Sequence, residues 1–226
     1  MKFSLRTLRL CGGFGDSTIY EAGQYMQISI LLTVLAFLQA VPAALPAYPP
    51  GAINGGNVVA VMHVAAGTVT GVDILRADEP FAGPVRVALG AWSFPPTESG
   101  DVLAVVNFRT PNLFAVGPAA KVPKAAGAPS GLAYPEEIVE PLYPANSVAE
   151  GSAVFQIAIG ESGSVSKLKV IQGLGDLTDP CTAAVNRWKF APARSARGAA
   201  AVSIAYAVCV VRRPVLSPVK KLPGSE

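Results

Sequence analysis

An α+β fold of two tandem ββαβ units, each a three-stranded antiparallel sheet covered by one short helix, is predicted by three features of the sequence. The first is an internal repeat. Tyr48-Pro49 and Tyr143-Pro144 lie 95 positions apart, as do Gly56 and Gly151. Past Gly67 and Gly163 the offset becomes 96. It then holds for Pro84 and Pro180, Trp92 and Trp188, Phe94 and Phe190, and Pro96 and Pro192. One register kept through a Trp pair marks a unit written twice. The second feature is a pair of strand-like segments around a Gly turn in each unit. The third is a short stretch at helical spacing, followed by another strand.

In the first unit, Asn57–Val64 and Thr68–Leu75 read as a hairpin with Ala65, Ala66 and Gly67 at the turn. Val85, Ala88, Leu89 and Trp92 fall at i, i+3, i+4 and i+7, one apolar stripe about two turns long. Pro84 is expected as the first helical residue, and Pro95-Pro96 ends the pattern. Val102–Phe108 is the third strand. In the second unit, Ser152–Ile159 and Val165–Ile171 flank the turn Glu161, Ser162, Gly163. Asp179 is expected as N-cap and Pro180 as first helical residue, ahead of the stripe Cys181, Ala184, Val185, Trp188. The long run Ala199–Val211 is the last strand. It sets Val202, Ile204, Tyr206, Val208 and Val210 on one face and Ala201, Ser203, Ala205, Ala207 and Cys209 on the other. Alternation alone does not decide which face meets the helix.

The rest of the chain frames these units. At 226 residues, 51% hydrophobic and 15% charged, it can bury one or two small cores. A net charge of +3 is too small and scattered for a nucleic-acid surface. Residues 1–47 carry Lys2, Arg6 and Arg9, then the apolar run Ile28–Val41, then small residues and prolines. That order fits an export signal, with Val41-Pro42-Ala43 and Leu45-Pro46-Ala47 as cleavage sites, or a retained inner-membrane anchor. Met26 is a second candidate start. The layout read from the sequence is 1–47 signal or anchor, 48–110 first unit, 111–142 Pro/Ala-rich linker, 143–212 second unit and 213–226 disordered basic tail. Cys181 and Cys209 are an even pair beyond the leader. A disulfide between them and two buried thiols are both open readings.

With these residues laid out, the unit resembles the C-terminal domain of TonB, the cell-envelope protein that contacts outer-membrane transporters. The second unit carries the pattern as Tyr143-Pro144, Gly151, Gly163, Trp188-Lys189-Phe190-Ala191-Pro192, Gly198 and a final strand. The first carries Tyr48-Pro49, Gly56, Gly67, Trp92-Ser93-Phe94-Pro95-Pro96, Gly100 and a shorter strand. The resemblance implies a domain that captures extended segments of envelope proteins by adding a strand to a sheet edge. It implies contacts at Tyr143, Pro144 and their counterparts Tyr48 and Pro49. It also implies contacts along the last strand, at Val202, Ile204, Tyr206, Val208 and Val210. No His precedes His63, and Tyr48 follows the apolar run almost at once. Both departures favour a self-contained adaptor or scaffold over a membrane-anchored energy transducer. Two joined copies also allow a pseudo-dimer, or a homodimer, whose edges are used internally.

Enzyme chemistry has little footing. His63 is the single His and sits mid-strand. No metal-ligand cluster, phosphate-binding Gly loop or nucleophile motif is present, so neither metal nor cofactor is expected.

Overall fold

Six strands form the central sheet, in the order Thr68–Ala77, Gly56–Ala65, Gly100–Phe108, Ser203–Val211, Gly151–Ile159, Val165–Gln172. The computed structural model describes residues 40–109 and 119–213, all within a single unit spanning Gln39–Glu226. The apolar run up to residue 39, Met26, residues 110–118 of the expected linker and the tail from 214 lie outside the described residues. In chain order, β1 (Gly56–Ala65) and β2 (Thr68–Ala77) form a hairpin, followed by helix α1 (Ala82–Gly90) and β3 (Gly100–Phe108). Two short strands follow, β4 (Ala120–Lys121) and β5 (Tyr134–Ile138). A second hairpin, β6 (Gly151–Ile159) and β7 (Val165–Gln172), leads through a 3-10 turn (Gly175–Leu177) to α2 (Thr178–Val185). The chain ends in β8 (Lys189–Ala191), β9 (Ala193–Arg194), β10 (Ala200–Ala201) and β11 (Ser203–Val211).

The sequence leads to two three-stranded antiparallel sheets; the structure has one six-stranded sheet that is parallel at its centre. β3 and β11 pair side by side, from Leu103 with Ala205 to Phe108 with Val210. Every other pairing in this sheet is antiparallel. The reason lies in composition. Strands of parallel pairs are apolar on both faces, and β3 and β11 each read as nearly unbroken apolar runs. From Val102 to Phe108, and from Ala205 to Val211, every residue is buried.

That pairing puts the helices on opposite faces. One core gathers Val85, Leu89, Trp92 and Phe94 with Val58, Ala60, Met62, Tyr206, Val208 and Val210. The other gathers Cys181, Val185, Trp188 and Phe190 with Phe155, Ile157, Ala205, Ala207 and Cys209. Val58, Ala60, Met62 and Val64 lie in the first core, whereas their counterparts 95 positions on, Ala153, Phe155, Ile157 and Ile159, lie in the second. The halves are thus related by an approximate two-fold along the central strands, which exchanges faces and keeps β3 and β11 parallel. β11 is covered on both sides, by α1's core on its Tyr206 face and by α2's core on its Cys209 face.

Helix boundaries differ slightly from expectation. Both helices start earlier, so Pro84 and Pro180 occupy the third helical position, where a backbone N–H has no intrahelical partner to lose. Asp179 is in the first turn of α2 rather than at the cap. The buried stripes are as expected, Val85, Ala88 and Leu89 in one helix and Cys181, Ala184 and Val185 in the other.

Two stretches lying largely outside the expected units are also folded. Residues 120–142 contribute β4 and β5, which form a small sheet with β8, and Tyr134, Ile138 and Val139 are buried in the α2 core beside Tyr143. Residues 40–50 lie as a strap on the other face. Val41 and Ser93 exchange backbone hydrogen bonds at 2.7 and 3.2 Å. The Ala40 N–H donates to the Tyr206 hydroxyl at 2.9 Å, and Trp92 Nε1–H donates to the Ala44 carbonyl at 2.8 Å. The two stretches read as cleavage sites, Val41-Pro42-Ala43 and Leu45-Pro46-Ala47, belong to this strap. Among the described residues no helix is long and apolar enough to cross a membrane.

Candidate partner-binding site

Each half builds the same corner around its Tyr-Pro segment. The Tyr143 hydroxyl donates to the Ala149 carbonyl at 2.9 Å; the Tyr48 hydroxyl donates to the Asn54 carbonyl, its counterpart 95 positions earlier. Trp188 Nε1–H donates to the Val139 carbonyl at 2.9 Å, as Trp92 does to Ala44, again 95 positions earlier. The residue after each third strand then reaches across to the other half. Arg109, following β3, stacks its guanidinium over the Tyr143 ring at 5.5 Å and donates to the Pro141 carbonyl. Arg212, following β11, stacks over the Tyr48 ring at 5.9 Å and donates to the Ala52 carbonyl at 2.9 Å. These reciprocal cation–π contacts tie the halves together at this end of the sheet.

The two corners are not equally open. Tyr143 and Arg109 are each 1% exposed, and burial holds the Arg109 pKa below its usual value against the opposing pull of Glu140. Tyr48 is half-buried, its ring edge-on to Phe81 and Phe108 at 5.6 Å each. Burial raises its pKa. Beside it lies a groove of about 580 Å³ lined by residues 45–50, 150–152 and 210–213. Arg213 pairs with Glu150 at its rim, 3.6 Å apart. Tyr48-Pro49 fronts this groove, whereas the Tyr143 ring is buried.

The residues named along the last strand fare differently. Tyr206, Val208 and Val210 are buried in the sheet centre, Ile204 is partly buried and Val202 is 58% exposed just ahead of β11. β11 is hydrogen-bonded to β3 on one side and β6 on the other, so a peptide has no open edge there to join. Burial pushes the Tyr206 phenol up to about 12. Its hydroxyl accepts from Ala40 and from Gln156 Nε2 at 3.2 Å. The open edges of the sheet are β2 and β7, neither of which has a fully buried residue. Only the first residue of β2, Thr68, makes an isolated bridge outside the hairpin, to Ser93. β7 carries Lys167 and Lys169.

Cys181 and Cys209 meet in the α2 core as free, fully buried thiols. The disulfide reading is not realised. Hydrogen bonding to Cys181 and then burial raise the Cys209 pKa well above its usual value, which keeps its thiolate scarce. His63 projects from β1 between two carboxylates, Nδ1 2.7 Å from Asp101 on β3 and Nε2 3.0 Å from Asp73 on β2. Its pKa is raised first by the Asp101 hydrogen bond, then by that of Asp73. Two acceptors on opposite ring nitrogens favour the doubly protonated imidazolium, and this side-chain trio joins three strands. Because the folded pKa lies above the unfolded one, the stabilisation is complete below about pH 6.5 and fades as pH rises through the folded pKa. Melting temperatures between pH 5.5 and 8.5 should therefore fall toward the alkaline end, and His63→Gln should remove most of that slope. Among the described residues, no group of three or more His, Cys, Asp or Glu side chains could hold a metal ion.

Residues 139–208 match the family model of the Gram-negative bacterial TonB protein C-terminal. The matched segment opens on Val139, whose carbonyl receives Trp188, and closes within β11 at Val208. It contains the Tyr-Pro segment, the β6–β7 hairpin and α2. The family match is to this second half alone. No curated protein matches the chain, and no solved structure does.

Three features of the structure are not visible in the sequence pattern. The strap from Ala40 hides in a stretch of Ala and Pro, with its tie points supplied by backbone N–H and carbonyl groups that no side chain advertises. Arg109 and Arg212 become visible only when the strands before them are aligned on Gly56 and Gly151. The open edges β2 and β7 follow from the β3–β11 pairing, a long-range contact.

Proposed function

We propose that the chain is a protein-binding module of the Gram-negative cell envelope, an adaptor or scaffold with no catalytic role. In this reading, two TonB C-terminal-like halves, residues 48–110 and 143–212, pair through β3 and β11. The run before residue 40 serves as export signal or anchor and delivers the module to the periplasm. Partner segments, including those of outer-membrane transporters, join as added strands at β2 or β7.

The sheet order carries this proposal. β11 lies between two strands, whereas β2 and β7 end the sheet with backbone groups facing outward, the arrangement that extended segments exploit. Lys167 and Lys169 on β7 support it, since edge lysines discourage unwanted pairing between copies while tolerating an acidic or polar strand. Photo-crosslinking amino acids at Thr70, Lys167 and Val170, in the full-length chain within a Gram-negative envelope, test the proposal. Adducts to a discrete envelope protein are expected from these edge positions and not from Val148, an 81% exposed loop residue.

A second reading draws on the same β3–β11 pairing. Here the module is a structural pseudo-dimer whose inner edges are consumed and which binds no segment. That reading predicts adducts from none of the positions.

A further inference from the structure

Arg109 and Arg212 occupy equivalent positions in unequal company. Around Arg109, Pro141 supplies a carbonyl, Tyr143 a ring and Glu140 a carboxylate whose charge reaches the guanidinium. Around Arg212 the counterpart of Pro141 is Pro46, of Tyr143 is Tyr48 and of Glu140 is Leu45, which offers no charge and is 36% exposed. The Pro46 carbonyl is taken by the Ser152 hydroxyl. Where the Arg109 corner is filled, the Arg212 corner holds a groove of about 580 Å³. Its walls are Leu45, Pro49 and the Tyr48 ring, and the charged groups lining it are Arg212, Arg213 and Glu150, with the charge of Glu140 also reaching Tyr48. The Glu150 carboxylate is paired with Arg213.

We propose that this groove binds an extended, acidic peptide segment of a partner protein. A Glu or Asp of the partner lies beside Arg212, as Glu140 lies beside Arg109, and the neighbouring apolar residue rests on Tyr48-Pro49. The proposal rests on the protein-binding reading and names the chemistry of the segment bound. The charge balance of the lining favours an anion, a guanidinium can meet a carboxylate with two parallel hydrogen bonds, and the flanking walls are apolar. The groove sits at the ends of β6 and β11 rather than along β2 or β7, so it recognises a side chain without requiring strand addition.

The test uses the full-length chain and two labelled hexapeptides, acetyl-Ala-Leu-Glu-Pro-Val-Ala-amide and the same peptide with Gln for Glu, followed by fluorescence anisotropy. The Glu peptide should bind about tenfold more tightly, the worth of one charge-assisted hydrogen bond, and should weaken with added salt. Arg212→Gln should reduce it to the level of the Gln peptide. Leu45→Glu restores from within the chain the carboxylate that the other corner has, so it should block the Glu peptide while leaving the melting transition intact. That second variant keeps the result readable if Arg212→Gln fails to fold. Equal binding of the two peptides, or Glu-peptide binding that survives both substitutions, overturns the proposal. No binding of either peptide overturns it as well. Edge adducts at Thr70, Lys167 or Val170 alongside such a failure would remove the groove assignment alone, whereas loss of both would also remove the binding-module reading.

Discussion

Trp188→Ala costs about 3–5 kcal/mol of unfolding free energy, as expected for an aromatic deleted from a packed core, and part of that cost is electrostatic. The side chain is fully buried in the α2 core, and its Nε1–H satisfies the Val139 carbonyl. Removing it opens a cavity and orphans a buried acceptor, for which about 1–3 kcal/mol is typical. Against the roughly 5–15 kcal/mol that holds a domain together, one substitution removes a large share. Trp92→Ala should cost a comparable amount, because Trp92 is 2% exposed, stacks edge-on to Tyr206 at 5.6 Å and holds the strap through Ala44. Urea denaturation of both variants checks this. A Trp92 variant as stable as the parent would mean that the strap and the α1 core contribute little.

Gly163→Ala carries the second large effect, and its cause is backbone rather than core. Gly163 has φ +76°, and an added Cβ would stand 1.9 Å from the Phe190 carbonyl oxygen. The same turn accepts the Phe190 N–H at 2.8 Å. A side chain there incurs the left-handed penalty of about 1–2 kcal/mol and also pushes β8 off the turn, forfeiting a hydrogen bond worth about 0.5–1.5 kcal/mol. We expect a loss of about 1.5–3.5 kcal/mol, these contributions combined. Gly67→Ala should behave alike with a smaller clash, its Cβ 2.5 Å from the Phe94 oxygen. Gly198, with φ +80° and nothing within 4 Å, provides the control. Its alanine variant should lose only the conformational penalty. If all three substitutions cost the same, the packing of each hairpin turn on its Trp-x-Phe segment is not what the glycines secure.

Much of this fold is written locally. The hairpins, the helical stripes and β3 fall where the alternation and the i, i+3, i+4 spacing put them, because each is decided by residues within a dozen positions, whereas the last strand, expected from Ala199, begins at Ser203 because Ala200–Ala201 pairs with β9. The Tyr-Pro and Trp-x-Phe pairs were legible for the same reason. What local pattern could not settle was how the units meet. Alternation in β11 leaves both faces open, and both faces prove to be buried. The signal was present in the near absence of charge from Val102 to Val106 and from Ala205 to Val211, the composition of a strand covered on each side. Residues 120–143 misled through their Ala, Gly and Pro content, although Tyr134, Ile138 and Val139 are the residues of a strand with something to bury. Leu45 lines the groove where Glu140 stands in the other half, a difference with meaning only once the arginines are seen to be equivalent.

Partner binding at β2 and β7 requires β11 to be an interior strand rather than a docking edge. Amide hydrogen exchange on the full-length chain measures this directly. Amides from Ala205 to Val210 should exchange only through global unfolding, because β3 and β6 flank them, while outward amides of β2 and β7 should exchange by local opening at far lower free energy. Exchange across β11 as fast as that of β7 would contradict the β3–β11 pairing and return the last strand to the role of a partner-binding edge.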